Sequence, residues 1–297
     1  SHVKSLQNWI KLCVNNPIRA RSWCGVADRA HIPWPTGPQS DFWARVMGRQ
    51  DVDAVTAAIA RVLCGSNTVV VTGPPGTGKT RALGLLVKLA NAEAADSLRP
   101  GVIDNPVNNI GLTAVTNKAM AVLAETVHGL NPSGLIGVLC SKQPTFAKRF
   151  HFRNISGRSQ IPDLCEHLGI RGPVTVATTF GQLSKQDSVF RQPLACLHKR
   201  PWTFICNDES GQLTPSAAVV AGPFMTVGAL LVLAGDPKQL PAFSHSRLPS
   251  ISLLDVLTNF DNTVVLTTQR RMEPSLGEFV SCLSYNGSLQ HLTTTLT

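Results

Sequence analysis

An α/β fold, with a parallel sheet flanked by helices, is what this sequence predicts, and three observations carry the expectation. Short β-branched and apolar runs alternate with segments of helical period over most of the chain. The first of these runs passes through a glycine-rich loop straight into a helical segment. Later runs end in polar clusters, and the carboxyl ends of strands are where a parallel α/β sheet collects its ligands.

Taken in order, residues 1–45 carry Trp9, Trp23, Trp34 and the IPWP segment without sustained periodicity, and read as the end of a preceding region. Val46 to Leu63 shows apolar residues at helical spacing and predicts a helix ahead of the first strand. That strand is Thr68 to Thr72, and RALGLLVKLANAEAA supplies the helix beyond the loop. Further strands are expected at Gly111 to Val115, Leu135 to Cys140, Val174 to Thr178, Thr203 to Asn207, Ala229 to Ala234 and Thr263 to Thr267. A basic stretch with aromatic residues, including Lys148 to Arg153, lies within 128–172 and reads as a hairpin or a nucleic-acid contact.

The loop between first strand and first helix is GPPGTGKT, made of Gly73, Pro74, Pro75, Gly76, Thr77, Gly78, Lys79 and Thr80. Backbone N–H groups and a helix N-terminus converge there on phosphates, and glycine lets the backbone come close. Lys79 then reaches the β- and γ-phosphates of a nucleotide, and the Thr80 hydroxyl joins the shell of Mg²⁺. The run TFICN leads into Asp208 and Glu209, a metal-holding acid beside a base for an attacking water; a solvated acid pair at a turn is the plain alternative. Gly235 to Pro241, GDPKQLP, carries Gln239, whose amide can donate to a phosphate or water while accepting from a neighbour. At Gln269 to Met272, two arginines follow a strand, and either can stabilise charge on a transferring phosphoryl group.

Composition sets the wider limits. The 297 residues allow one large domain or two ordinary ones, and 43% apolar content is enough for a core. Eight cysteines without a CxxC pair argue for reduced thiols and no zinc cluster. No uncharged apolar run reaches the roughly 18 residues of a membrane span, and SHVKSLQNWIKL lacks the form of a secretory signal. A soluble, cytoplasmic or nuclear protein without a membrane partner is therefore expected. The formal charge of +9 favours a polyanionic partner.

In register, GPPGTGKT, DESGQ, GDPKQLP and QRRMEPSLGEFVSCLSYNGSLQ resemble motifs I, II, III and IV of the superfamily 1 helicases, in the 5′-to-3′ group that includes the RNA helicase of nonsense-mediated decay. The resemblance runs from Val46 to Leu289. It implies a RecA-like P-loop NTPase domain over 46–260, the start of a second RecA-like domain over 261–297, and use of ATP with Mg²⁺. It also implies that Arg271 meets the γ-phosphate, although Arg270 replaces the usual tyrosine and Glu273 the usual histidine. GLTAVTNKAMAVLAE and VTVATTFGQL are similar to two nucleic-acid-contacting motifs, which assigns Thr116, Asn117, Thr178 and Thr179 to a sugar-phosphate backbone; helix capping is the alternative role of such residues. Gln50 is offered as an adenine contact, one position before the place of the family's glutamine, which Asp51 holds here.

Three functions follow from this reading. One is an ATP-dependent helicase or translocase on single-stranded RNA or DNA, with RNA favoured by the resemblance and activity weak or absent without the second domain. Another is a nucleotide- and RNA-binding module or scaffold that does not turn over. An unrelated P-loop enzyme such as a small-molecule kinase is the third, and it leaves GDPKQLP and QRRM without a role.

Overall fold

The structure is a computed structural model, and it describes residues 44–46, 48, 53–64, 67–97, 109–131, 136–140, 153–154, 174–185, 194, 197, 199–242, 251–258 and 262–291. The expectations for residues 1–43, for Gln50, for most of 128–172 and for 292–297 lie outside the described residues.

Helix α1 (Ala54–Leu63) begins at Asp53, whose carboxylate accepts the Thr56 N–H at 2.7 Å, an ordinary N-cap. It buries Thr56, Ile59, Ala60 and Leu63, one stripe at helical spacing. Strand β1 (Thr68–Thr72) is buried throughout. Its side chains alternate between two cores, as the period of two in a strand requires: Val69 and Val71 join one apolar cluster, Val70 the other. Both faces are covered, which is why the run reads as continuously apolar.

Helix α2 (Lys79–Ser97) returns the chain, and β2 (Asn109–Ala114), α3 (Asn117–Leu130), β3 (Ile136–Leu139), β4 (Arg153–Asn154), β5 (Val174–Thr179) and the short α4 (Phe180–Leu183) follow. Then come β6 (Trp202–Asp208), a 3₁₀ turn at Ser210–Gln212, α5 (Pro215–Ala218), a second 3₁₀ segment at Val219–Phe224, β7 (Met225–Gly235), α6 (Leu253–Leu257) and β8 (Thr263–Val265). These strands form one sheet in the order β4-β3-β5-β2-β6-β7-β1-β8. Every pairing in it is parallel. Helices α1, α2 and α3 cover one face; α6 and the segments around Leu213 and Phe224 cover the other. Between β2 and β6 the approach is close. A Cβ on Gly111 would stand 2.7 Å from the Trp202 indole, so the buried tryptophan dictates glycine opposite it.

The central strands run further than the sequence suggests. β6 continues through Asp208 and β7 through Gly235, which carries the polar clusters to the very rim of the sheet. The apolar stretch expected as one strand at 263–267 instead divides. Thr263–Val265 pairs with β1, helped by Asn262, whose side chain donates to Thr68 O at 2.7 Å, and by Leu266 N–H, which donates to Thr72 O at 2.8 Å. These residues were expected to open a second domain, and they lie instead at the edge of the first sheet. Only beyond them do β9 (Thr268–Gln269) and β10 (Gln290–His291) form a separate parallel pair, linked by α7 (Pro274–Ser284). No helix among the described residues is long and apolar enough to cross a membrane.

Candidate functional site

β1 and α2 hold the glycine-rich loop between them, and its backbone is set by Gly76 at φ 80° and Gly78 at φ 90°, where a side chain would be strained. Gly76 is further constrained from outside, since a Cβ there would sit 2.6 Å from Arg271 Cβ. The Thr77 hydroxyl donates to Pro74 O at 2.8 Å and braces the turn. Lys79 arches back over the loop, its Nζ donating to Gly73 O at 2.5 Å and to Pro74 O at 3.0 Å. Burial lowers the Lys79 pKa, opposed by the charges of Asp236, Asp208 and Glu209, so three acids face one ammonium.

At the end of β6, Asp208 is buried and accepts the Thr80 hydroxyl at 2.6 Å through Oδ2 and the Glu209 N–H at 3.0 Å through Oδ1. Burial nonetheless pushes its pKa up, against those two hydrogen bonds and Lys79. Glu209 is raised as well, first by burial and then by Asp208 beside it. Its backbone is left-handed at φ 57° and ψ 40°, a conformation that costs a non-glycine residue about 1 kcal/mol or more.

The neighbouring strand β7 ends in Gly235, where a Cβ would come within 2.9 Å of Gly211 N, so the loops after β6 and β7 are pressed together by two glycines. Asp236 follows, buried, with three donors: Lys238 N–H at 2.9 Å on Oδ1, and Gln239 Nε2 at 3.1 Å and Tyr285 Oη at 2.7 Å on Oδ2. Gln239 itself is exposed. From the other side, the buried Gln269 accepts the Arg271 and Met272 N–H groups at 2.9 and 2.7 Å, shaping the turn that presents Arg271. Arg270 N–H donates to Gly76 O at 3.0 Å, so the position where a tyrosine is usual docks on the phosphate loop through its backbone. Glu273 caps α7, accepting the Ser275 and Leu276 N–H groups at 3.0 and 3.2 Å, which is a local reason for an acid there.

The structure therefore draws Lys79, Thr80, Asp208, Glu209, Gln239 and Arg271 to one rim. Thr116 and Asn117 are exposed just past β2, where Ala114 lies in register with Asp208, and Thr116 also caps α3 by accepting Ala119 N–H at 3.1 Å. Thr179 ends β5 in register with Ala114, though it is buried. Thr178 departs from expectation. It is fully buried inside the sheet and its hydroxyl donates to Leu139 O at 3.0 Å, because β5 is covered on both faces and β3 lies beside it. It has no surface to offer a nucleic acid. Sequence reasoning missed Asp236 as a hub and Tyr285 as its partner; the only hint was that Tyr285 is the chain's sole tyrosine.

A model of the family described as an AAA domain matches residues 56–245. The chain belongs to that family. Its parallel sheet flanked by helices fits the expected α/β RecA-like fold. Among curated proteins it is similar to the mouse DNA replication ATP-dependent helicase/nuclease DNA2, 26% identical over 241 residues, which are 78% of this chain and 20% of that protein. It is also similar to the Neurospora crassa homolog of regulator of nonsense transcripts 1, 24% identical over 280 residues, 83% of this chain and 24% of the relative. The AAA-domain chain thus spans about a fifth to a quarter of these curated relatives. Of solved structures, the Arterivirus nonstructural protein 10 helicase in complex with DNA aligns over 79% of this chain and 43% of its own, with 15% identity and a TM-score of 0.43.

The residues present suit a magnesium nucleotide. Thr80 and Asp208 offer two hard oxygens side by side, and a buried carboxylate with a raised pKa is one that a cation would relieve. The Lys79 ammonium, satisfied by loop carbonyls, is available to an anion seated in the loop.

Proposed function

We propose that the chain is the ATP-hydrolysing domain of a helicase or translocase that acts on single-stranded nucleic acid, with RNA the favoured substrate. The single observation that carries this reading is the pairing of Thr80 with Asp208 beneath Lys79, with Glu209 held beside them in a strained backbone. Bound MgATP supplies the γ-phosphoryl group and the cation that neutralises its charge. The chain's part is positional and electrostatic. Gly73 to Gly78 wrap the phosphates, Gly76, Thr77 and Gly78 with backbone N–H groups and Pro74 and Pro75 by fixing the path of the loop; Lys79 leaves its loop carbonyls for phosphate oxygens; Thr80 and Asp208 hold Mg²⁺. Glu209 takes the proton of the attacking water, and its raised pKa suits a base working nearer neutrality. Gln239 orients that water, and Arg271 meets charge developing on the phosphoryl group.

Exposed Thr116 and Asn117, with Thr179 at the same rim, support a track for a sugar-phosphate backbone, and a chain carrying +9 supplies the attraction. A second RecA-like domain is the partner we assign to α7, where Leu276, Phe279 and Leu283 form an exposed apolar stripe at helical spacing. That stripe also favours the second reading, a binding module whose turnover waits on another domain.

ATP hydrolysis by this chain, with and without single-stranded RNA and DNA, separates the two. Glu209→Gln is the blank for contaminating activity, and nucleotide binding is measured alongside. Strand-stimulated turnover that Glu209→Gln abolishes is the expected outcome. Tight MgATP binding without turnover establishes the module, and absence of MgATP binding overturns both.

A further inference from the structure

Asp236 has a place in the fold that the assignments above leave unexplained. It is 3% exposed, and both donors on its Oδ2 are side chains from different parts of the molecule: Gln239 Nε2 at 3.1 Å from the loop after β7, and Tyr285 Oη at 2.7 Å from the end of α7. One carboxylate oxygen is shared by the residue assigned to orient the water and by a residue at the far end of a helix.

That helix is held firmly at both ends. Its N-terminal side is anchored to the phosphate loop by Arg270 N–H on Gly76 O and by the contact of Arg271 with Gly76. At the C-terminal side Tyr285 N–H and Gly287 N–H both donate to Ser281 O, Leu289 N–H donates to the Ser281 hydroxyl, and Asn286 and Gly287 take left-handed conformations at φ 52° and 72°. Such a closed C-terminus leaves the Tyr285 ring little freedom to follow Gln239 if the loop moves. α7 and the two rim loops are therefore joined as a triangle whose third side is the Tyr285–Asp236 bond.

We propose that Tyr285 is a positioning residue that, through the shared oxygen of Asp236, couples the setting of Gln239 to the position of α7. A buried carboxylate losing one of its donors is costly when no other remains. With the phenol in place, Asp236 keeps Tyr285 and Lys238 N–H when the Gln239 amide leaves for the nucleotide. Without it, Gln239 is the sole side-chain donor on Oδ2 and stays parked. The Tyr285 phenol thus sets how readily Gln239 is released, and a shift of α7 that lengthens the bond reaches Gln239 directly. The coupling to nucleotide rests on the function proposed above; the coupling of Tyr285 to Gln239 rests on the geometry alone.

The sole tyrosine makes the test specific, because the phenol ring doublet in the ultraviolet Raman spectrum, whose intensity ratio reads the strength of the hydrogen bond the hydroxyl donates, reports Tyr285 only. The full chain is measured near neutral pH as wild type and as Gln239→Ala, each alone, with MgADP and with a non-hydrolysable MgATP analogue, while nucleotide binding is followed by equilibrium dialysis. Removing Gln239 strengthens the remaining bond on Oδ2, so the ratio moves toward that of a strong donor. The analogue moves the wild-type ratio in that direction relative to MgADP and leaves Gln239→Ala unmoved. A ratio typical of a solvent-bonded phenol, or one that Gln239→Ala does not shift, overturns the coupling. If dialysis finds no nucleotide bound while Gln239→Ala still shifts the ratio, the function falls and the coupling stands. Where turnover is measurable, Tyr285→Phe lowers kcat about tenfold with KM little changed and adds nothing to Gln239→Ala. Equal losses in both backgrounds show a merely structural tyrosine.

Discussion

Asp208 and Glu209 are held in the folded chain as less comfortable anions than they are in water, since burial raises both above their ordinary values of 3.8 and 4.5. A raised carboxylate binds its proton more tightly in the folded state, so its stabilising share is present below those values and is lost as pH rises through the folded pKa. Asp208→Asn keeps the acceptor for Thr80 and removes the buried charge. It is expected to stabilise the metal-free chain by about 1 kcal/mol near neutrality, with the gain shrinking on acidification. Denaturant midpoints of both proteins across the acid-to-neutral range check this; a gain independent of pH would remove the electrostatic cause. Thr178 gives a second residue-level prediction. Thr178→Val leaves single-strand affinity unchanged and costs about 1 kcal/mol of stability through the lost bond to Leu139 O, whereas Asn117→Ala weakens binding without altering the melt. Filter binding and thermal denaturation of the two variants decide between them.

Among the elements, the motif-bearing strands were the most legible. β1 matches its expected bounds because an apolar run bounded by a glycine loop leaves little choice of register, and β6 and β7 lie where expected, although β7 starts at Met225 rather than Ala229 and both end one residue later. Less legible was anything decided by partner rather than pattern. Val264 and Thr268 sit in one nearly continuous apolar stretch, yet one lies in the β1 sheet and the other pairs with β10, because Leu266 N–H turns back to Thr72 O between them. Alternation alone could have placed Thr178 and Thr179 on opposite faces, but the resemblance of the motif named both hydroxyls together. The contact of Tyr285 with Asp236 joins residues far apart in sequence and leaves no periodic trace. The α7 segment makes its own prediction. A Cβ on Gly277 would collide with the His291 ring and stand 2.9 Å from Gln269 Nε2, so Gly277→Ala should cost about 1–3 kcal/mol and loosen the turn presenting Arg271. Limited proteolysis should then cut first within 268–291, and an unchanged digestion pattern would show that the helix can shift without cost.

At the scale of the molecule, two surfaces stand apart. The rim of the sheet is polar and collects acids around one lysine, while α7 turns Leu276, Phe279 and Leu283 to solvent. Phe279→Ser is expected to change the stability of this chain by less than about 0.5 kcal/mol, since Phe279 is 63% exposed. The same change should weaken association with a separately produced second RecA-like domain, as read by analytical ultracentrifugation. A large loss of stability in the chain alone would mean that the stripe is covered from within.

The order of the sheet also bears on how the chain reaches its shape during synthesis. β1 precedes all other described strands in sequence, yet its hydrogen-bonding neighbours are β7 and β8, with Thr68 opposite Leu231 and Val70 opposite Thr263. A ribosome therefore releases the phosphate loop long before it releases the strands that seat it. Until then a buried apolar strand waits without its ladder, where loop closure is slow and an unpaired edge invites association with other chains. The capacity to hold a nucleotide is in this sense late to mature, although its signature is translated ahead of the strands that seat it.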